Sequence, residues 1–213
     1  MSVIEDIGGK AAEAGLHPCW SCKGPVAGRA LFCHTCGAVQ PPGSLDFFQR
    51  LGVETAFDLD LDRLEKQYVG FQRALHPDRF ATKPARERAI AQSQAVALNE
   101  AFEALKDPLR RAAYLLRLKG RGSAGDGEKT VADAALLSEA MDRREALAEA
   151  GDIALVEKQM VEAGAAAVDV LARLSQSFAG DDLDAAGRLV LRLTYLRKFL
   201  EEARIRRAAL EQG

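Results

Sequence analysis

Four cysteines near the start of the chain have the residue type and the spacing of a metal site. Cys19 and Cys22 form one C-x-x-C pair, Cys33 and Cys36 form a second, and ten residues separate the pairs. Thiolates three positions apart reach one tetrahedral ion through a tight turn, and two such pairs complete a four-sulfur set. The pattern predicts one structural zinc ion per chain. The same ligands accept iron, so an electron-transfer site is an alternative.

A second candidate is the tripeptide His76-Pro77-Asp78. The proline stiffens the backbone, and the side chains on either side of it offer a partner a hydrogen-bond donor and an acceptor. An acid/base pair is a weaker interpretation, because the chain has three histidines and no companion nucleophile or oxyanion loop is evident. We therefore expect a binding loop and not an enzyme active site.

The charge balance limits the classes of partner. Lys and Arg number 29 against 31 Asp and Glu, a formal net charge of −2 over 213 residues, so no overall field attracts nucleic acid or an anionic membrane surface. No apolar run approaches the roughly 20 residues that span a bilayer. The first ten residues lack the pattern of a secretion signal, and the clustered cysteines suit a reducing compartment. We expect a cytoplasmic protein with no nucleic-acid or membrane partner.

The elements that must position these residues are mostly helical. Apolar residues recur at three- and four-residue steps over 61–75 and again over 84–105, and Asp107-Pro108 is an N-cap followed by a proline that starts a third helix. Small hairpins around the cysteines are the only strands we expect. The fold class is therefore mostly α: a four-cysteine knuckle, a helical hairpin and a C-terminal three-helix bundle.

Changes in composition divide the chain. Pro41-Pro42-Gly43 is a stiff break, and the glycine-rich stretch 119–130 has the composition of a flexible linker. Asp152 follows a glycine and is a predicted N-cap inside the bundle. The predicted parts are a metal-binding segment 1–43, a helical domain 44–120, a linker 121–130 and a three-helix bundle 131–213.

The sequence around the tripeptide resembles a J-domain, the module shared by DnaJ-type co-chaperones. Arg63, Lys66 and Arg73 lie on the polar face of the preceding helix, and residues 98–112 read LNEAFEALKDPLRRA. The resemblance implies that the loop His76-Pro77-Asp78 triggers ATP hydrolysis in a seventy-kilodalton heat-shock chaperone. It implies that the three cations steer this partner electrostatically. A merely solvated basic face is the alternative for them.

Further segments narrow the resemblance to the HscB family, the J-proteins dedicated to iron–sulfur cluster assembly. They are DFFQRLG at 46–52, RRAAYLL at 110–116 and LLSEAMDRREAL at 136–147. The cysteine segment, with Gln40-Pro41-Pro42, is similar to an N-terminal extension found in some members. The resemblance implies two partners, an HscA-type chaperone and the iron–sulfur cluster scaffold protein, which the bundle recruits.

The resemblance also assigns residues of the bundle to scaffold binding: Leu137, Ser138, Met141, Asp142, Glu145 and Tyr195. Ser138 departs from the family, which usually has a second large apolar residue there. Helical geometry sets Leu136 and Leu147 toward the bundle core, whereas Leu137 and Met141 lie about 100° or more around the helix axis. The alternative is that Leu137 and Met141 are themselves core.

Two rival functions stay open at this point. One is a general J-domain co-chaperone for unfolded clients, which would bind unfolded chains and not a folded scaffold. The other, of a different class, is a rubredoxin-like redox protein or a nucleic-acid-binding zinc ribbon fused to helices, which would show an iron chromophore or a salt-sensitive nucleic-acid complex. At most, weak self-association is expected.

Overall fold

A computed structural model describes residues 15–121 and 134–212 of the protein. Within those ranges it has two short strands and seven α-helices, which confirms the predicted mostly helical fold. The predicted linker beyond Arg121, residues 131–133 of the predicted bundle and residues 1–14 lie outside the described residues.

The described residues form two compact units. The first comprises the described residues up to Thr55 together with Leu59–Asp107, and the second comprises Ala56–Asp58 and the described residues from Pro108 onward. No helix in the part of the chain that the structure describes is long and apolar enough to cross a membrane.

The cysteines lie in a small module at the start of the first unit. Strand β1 (Leu16–Pro18) pairs antiparallel with β2 (Pro25–Ala27), and an isolated bridge joins Phe32 to Val39. These are the small hairpins that the sequence predicts. Val26 is fully buried and packs with two of the cysteine side chains, so the module has only a minimal apolar core.

Three helices complete the first unit: α1 (Phe47–Leu51), α2 (Leu61–Ala74) and α3 (Ala85–Lys106). The side chain of Asp60 caps α2 by accepting a hydrogen bond from the N–H of Arg63. Both α1 and α2 pack against α3. The largest fully buried side chains of these helices are Phe48, Leu51, Leu64 and Leu105.

One position of α2 differs from the expected apolar face. Leu61 is 46% exposed, because it opens the first turn of the helix, one turn before the buried Leu64. Other residues of the expected apolar face do pack inward. Leu75 is buried, and the ring of Tyr68 stacks on Phe102 of α3 with 3.9 Å between centroids.

The second unit contains α4 (Pro108–Leu118), α5 (Ala134–Glu149), α6 (Ile153–Ala179) and α7 (Leu183–Gln212). Helices α6 and α7 form its main packed pair, and α4 and α5 also pack against α7. As predicted, the side chain of Asp152 caps α6, accepting from the N–H of Leu155. The buried face of the α6–α7 pair consists of Val156, Ala163, Val170, Leu174, Leu189, Leu193, Leu196, Phe199 and Ala203.

Helix α4 packs within the second unit, whereas the sequence analysis groups it with α2 and α3 in the domain 44–120. Its side chains Ala112, Leu115 and Leu116 are buried. A short segment around Phe57 joins the same unit, and the Phe57 ring stacks on Phe178 of α6 at 5.3 Å between centroids. An amphipathic pattern predicts that α4 is a packed helix, but it does not identify the helix against which α4 packs.

Candidate functional site

The His76-Pro77-Asp78 loop follows α2 directly. Helix α2 ends at Ala74, and a single 3₁₀ turn, Pro77–Phe80, comes next. The proline fixes its own φ and disfavours helical geometry at His76, which is why α2 cannot continue. His76 caps the turn, since its Nδ1 accepts a hydrogen bond from the N–H of Asp78 at 3.3 Å.

The cap decides how His76 meets a partner. Nδ1 faces Asp78, 3.3 Å from its main-chain nitrogen and 3.5 Å from its Oδ2, which leaves Nε2 as the ring nitrogen available to a partner. The side chains of His76 and Asp78 are 59% and 90% exposed. Phe80, at the far end of the turn, is buried, and the turn packs against α3. The loop therefore holds an exposed donor and an exposed acceptor on an anchored turn.

The three predicted steering cations are all exposed on α2. Arg63 and Lys66 lie in its first half and Arg73 in its last turn, next to the loop. Two exposed acids, Asp62 and Glu65, interleave with the first two cations. Arg73 is therefore the cation of this set that lies nearest the loop.

The four predicted metal ligands come together. Their sulfur atoms all lie within 4.8 Å of one another, with 3.8 Å between Cys19 and Cys36 and 3.8 Å between Cys22 and Cys33. A tetrahedron with metal–sulfur bonds of about 2.3 Å has edges of about 3.8 Å, so the set fits a tetrahedral ion. Four cysteines this close can bind a metal ion. Zinc and iron have similar bonds to sulfur, so the distances do not choose between them.

The two knuckles repeat the same backbone hydrogen bonds. The N–H of Lys23 donates to the carbonyl of Cys19 at 3.0 Å, and the N–H of Gly37 donates to the carbonyl of Cys33 at 2.8 Å. Each donor has a left-handed backbone, with φ of 64° at Lys23 and 74° at Gly37. Nothing in the sequence marks Lys23 as a residue in this conformation.

At Gly24 it is the surrounding space, and not the backbone conformation, that requires a small residue. A Cβ at this position would lie 3.2 Å from Oγ1 of Thr35 and 3.3 Å from the sulfur of Cys22, which is closer than ordinary contact. A side chain there would therefore press on one metal ligand and on the opposite knuckle.

The pKa values of the thiols differ across the metal site. Burial of Cys19 opposes its ionisation, but hydrogen bonds from the N–H groups of Cys22 and Ser21 and from Gln40 outweigh burial and lower its pKa to about 6. The N–H of Gly24 favours the thiolate of Cys22, yet the neighbouring sulfurs and loss of solvent raise its pKa to about 11. Metal ligands are thiolates, so a bound cation must displace the proton of Cys22.

The bundle residues proposed for scaffold binding lie on the outer face of α5. Leu137 is 44% exposed and Met141 is 63% exposed, whereas Leu136 and Leu147 are buried. The alternative that Leu137 and Met141 belong to the bundle core is therefore wrong. The other α5 residues of the set are exposed too: Ser138, Asp142 and Glu145.

A groove between α5 and α7 brings only part of this set together. Leu137 and Met141 line it with the half-buried Tyr195 of α7, and Phe199 lies at its base. The remaining predicted α5 residues do not line the groove. The structure thus provides a groove in which Leu137 and Met141, four positions apart, lie about one helical turn from each other.

The sequence does not predict the cations that line this groove. Arg143, Arg144, Arg192 and Lys198 line it beside the apolar residues. Arg143 and Arg144 belong to the charged run 142–145 of α5, whereas Arg192 and Lys198 lie on α7, so the sequence does not show that the four share one groove. The groove therefore combines apolar side chains with cations, three of which pair with acids of the same two helices.

Ion pairs fasten α5 to α7 at this groove. One oxygen of Glu139 accepts from Arg192 of α7 at 2.9 Å and from Arg143 of α5 at 3.2 Å. Arg144 makes a two-contact pair with Glu202 of α7, and its Nε lies 2.8 Å from Oε2. The hydrogen bonds from Arg144 lower the pKa of Glu202. Since α5 packs chiefly on α7, these pairs help to set where Leu137 and Met141 stand.

Comparison with known proteins points to a single family. Residues 132–204 match a family model described as the HSCB C-terminal oligomerisation domain. The chain is 32% identical over 185 residues to an iron–sulfur cluster co-chaperone protein HscB homolog of Arabidopsis thaliana, covering 86% of this chain and 72% of that relative. It is 37% identical over 163 residues to a co-chaperone protein HscB homolog of Aeromonas salmonicida, covering 74% and 94%.

A solved structure agrees over most of the chain. Human co-chaperone protein HscB matches with a TM-score of 0.83 and 28% identity, covering 90% of this chain and 99% of that one. A match of this extent includes more than the domain recognised by the family model.

Proposed function

The chain belongs to the HscB family of iron–sulfur cluster co-chaperones, and from this premise we propose that it is an adaptor with two binding ends. One end stimulates ATP hydrolysis by an HscA-type seventy-kilodalton heat-shock chaperone. The other holds the scaffold protein on which iron–sulfur clusters are built. The observation that carries the proposal is the presence, in one chain, of an exposed His76-Pro77-Asp78 turn and an exposed apolar groove beside α5.

The chaperone-binding end has the features of a trigger. His76 and Asp78 are exposed on a turn anchored by Phe80, so a partner can engage the Nε2 donor and the carboxylate without deforming the fold. Arg73 precedes the turn and Arg63 and Lys66 extend the basic face along α2. Such cations raise the association rate and fix the orientation more than they add affinity.

The scaffold-binding end combines apolar and charged contacts. Leu137, Met141 and Tyr195 offer the apolar area, and the exposed Ser138, Asp142 and Glu145 extend the surface along α5. Contiguous exposed apolar side chains rimmed by charge are typical of a protein interface. A general J-domain co-chaperone for unfolded clients does not require such a defined groove.

We propose zinc as the resident ion, held by Cys19, Cys22, Cys33 and Cys36. Elemental analysis of the purified chain should find about one zinc per chain, since four thiolates satisfy a closed structural site. Iron in its place would give a coloured protein and would favour the redox alternative. Protein isolated without metal from a zinc-replete culture would contradict the assignment.

The adaptor function predicts cooperation between the two partners. In a single-turnover ATPase assay with the purified chaperone, the chain should raise the hydrolysis rate, and the chain with the scaffold protein should raise it further than the sum of their separate effects. The reason is that a scaffold held by the chain reaches the chaperone at high local concentration. Purely additive rates would indicate that the chain does not deliver the scaffold. An unfolded chain that replaced the scaffold equally well would favour the general co-chaperone.

Two expectations stay predictions. A cytoplasmic location rests on the sequence alone. Weak self-association is consistent with the description of the matched family domain and with the exposed Val161 and Val168 of α6, which lie on the side of that helix away from its buried face.

A further inference from the structure

A buried hydrogen bond links the cysteine module to helix α3. Gln40 follows the second knuckle and is 1% exposed, and its main-chain carbonyl accepts from Nε2 of Gln94 at 2.8 Å. Gln94 lies in the middle of α3 and is 5% exposed. Water does not replace a bond lost at such a site, so breaking it leaves a buried polar group unsatisfied. The two glutamines therefore fasten the module to one particular point of α3.

The same Gln40 reaches the metal site with its side chain. Its Nε2 donates to the carbonyl of Ala38 at 2.8 Å and to the sulfur of Cys19 at 3.4 Å. The opposite amide orientation would place Oε1 against that carbonyl and that sulfur, so the network fixes which atom is the donor. Groups that hydrogen-bond a metal ligand orient it and raise metal affinity. Gln40 thus contacts a metal ligand with its side chain and α3 with its backbone.

Helix α3 contacts the cysteine module at a second point. Trp20 lies between the first two cysteines, and its Nε1 donates to the carbonyl of Val39 at 2.7 Å. The guanidinium of Arg86, in the first turn of α3, lies over the Trp20 ring, 4.7 Å from its centroid. Arg86 and Gln94 therefore hold the two knuckles from one helix, and that helix also packs against the turn Pro77–Phe80.

We propose that the cysteine module is a metal-dependent brace for α3, and that Gln40 is the positioning residue that couples the Cys19 sulfur to Gln94. A bound ion joins the two knuckles at one centre and so holds Gln40 and Trp20 in the positions that Gln94 and Arg86 require. Without the ion the knuckles are joined by the small apolar cluster around Val26 and by hydrogen bonds such as that from Trp20 to Val39. The inference gives the module a role beyond the proposed adaptor function, and it rests on metal occupancy of the four cysteines.

Hydrogen exchange of the full chain, with metal and after chelation, tests the brace. Metal loss should speed the exchange of the backbone amides of α3 near Gln94 by about 10-fold. The reason is that an ion that binds only the ordered cysteine module also stabilises the part of α3 that contacts the module. The amides of α6, which belongs to the other compact unit, serve as the internal reference. Elemental analysis before and after chelation establishes how much metal each sample holds.

Two variants test separately the bond between Gln94 and Gln40 and the contact between Gln40 and the Cys19 sulfur. Gln94→Met keeps the size of the side chain but removes the donor, so α3 should exchange faster even with metal bound and chelation should add little. Coupling is reciprocal, so the same variant should weaken metal affinity, measured by competition with a chromogenic chelator, by the factor by which metal protects α3. Gln40→Met should weaken metal affinity by about 10-fold. Gln92→Met, at an exposed position of the same helix, is the matched control and should change neither quantity.

The outcomes distinguish the brace from the metal site itself. A chain that loses its metal with no change in α3 exchange overturns the brace and leaves the metal site intact. A Gln94→Met chain that folds and keeps the full response to chelation overturns the role of the glutamine pair. A chain that never holds metal overturns both the metal assignment and the brace. Should Gln94→Met fail to fold, the comparison of the wild-type chain with and without metal decides the proposal.

Discussion

Replacing His76 with glutamine should reduce stimulation of the chaperone ATPase by about 10-fold or more. Glutamine offers an amide but has neither the rigid ring nor the Nδ1 acceptor that caps the turn by bonding the N–H of Asp78. The amide of the variant can still donate, but without the ring and the cap its donor is no longer held in place on the turn. Losing a directed hydrogen bond in an interface costs about 1.5 kcal/mol or more when its partner stays buried, which corresponds to about tenfold in an equilibrium constant.

The measurement is single-turnover ATP hydrolysis by the chaperone at a saturating concentration of the chain. His76 is well exposed, so the variant should keep the thermal midpoint of the wild type. Thr82→Ala changes an exposed residue just beyond the turn and should stimulate normally. Full stimulation by His76→Gln would exclude the loop as the trigger. A variant that needs a higher concentration to saturate but then reaches the normal maximal rate would place His76 in binding and not in triggering.

The double substitution Leu137→Ala with Met141→Ala should weaken scaffold binding by about 100-fold. Both side chains line the groove between α5 and α7, and truncating two central apolar contacts of an interface costs about 3 kcal/mol in total. Calorimetric titration with the purified scaffold protein measures the affinity. Stimulation of the chaperone in the absence of scaffold should stay unchanged, because the substitutions leave the loop at His76 untouched.

Because both side chains are exposed, the double substitution should affect scaffold binding and not folding. Leu137 and Met141 are 44% and 63% exposed, so their truncation should change the free energy of unfolding by no more than about 0.5 kcal/mol. Leu155→Ala removes a comparably exposed leucine, 41% exposed, from α6 and is the matched control. Unchanged scaffold affinity in the double variant would move the binding site elsewhere on the bundle. Loss of affinity in the control as well would point to a general disturbance of the second unit.

The predictability of the site differs from one part to another. The four cysteines required only local spacing, because each knuckle is a tight turn that closes within a few residues. The end of α2 just before the loop followed from Pro77, which disfavours helix at His76 whatever surrounds it. The exposed position of Leu137 and Met141 followed from helical periodicity. In all three cases a short-range rule decides the geometry.

The cations of the groove could not be predicted in this way. Arg144 of α5 and Arg192 of α7 line one groove because two helices pack together, and a single helical pattern does not say which faces meet. The same applies to the Gln40–Gln94 bond, which joins residues 54 positions apart. Buried glutamines in an amphipathic helix look in sequence like ordinary surface residues, since only the partner explains their burial.

By itself, the sequence determined the mostly helical class, the four-cysteine cluster, the loop that follows α2 and the family, because composition, periodicity and motif spacing act over a few residues. The tertiary structure alone decided that α4 packs with the bundle, that arginines rim the groove and that the cysteine module is fastened to α3. Each of these features depends on which surfaces of different elements pack against each other. That choice is made by packing and by the pairing of buried polar groups across long sequence separations.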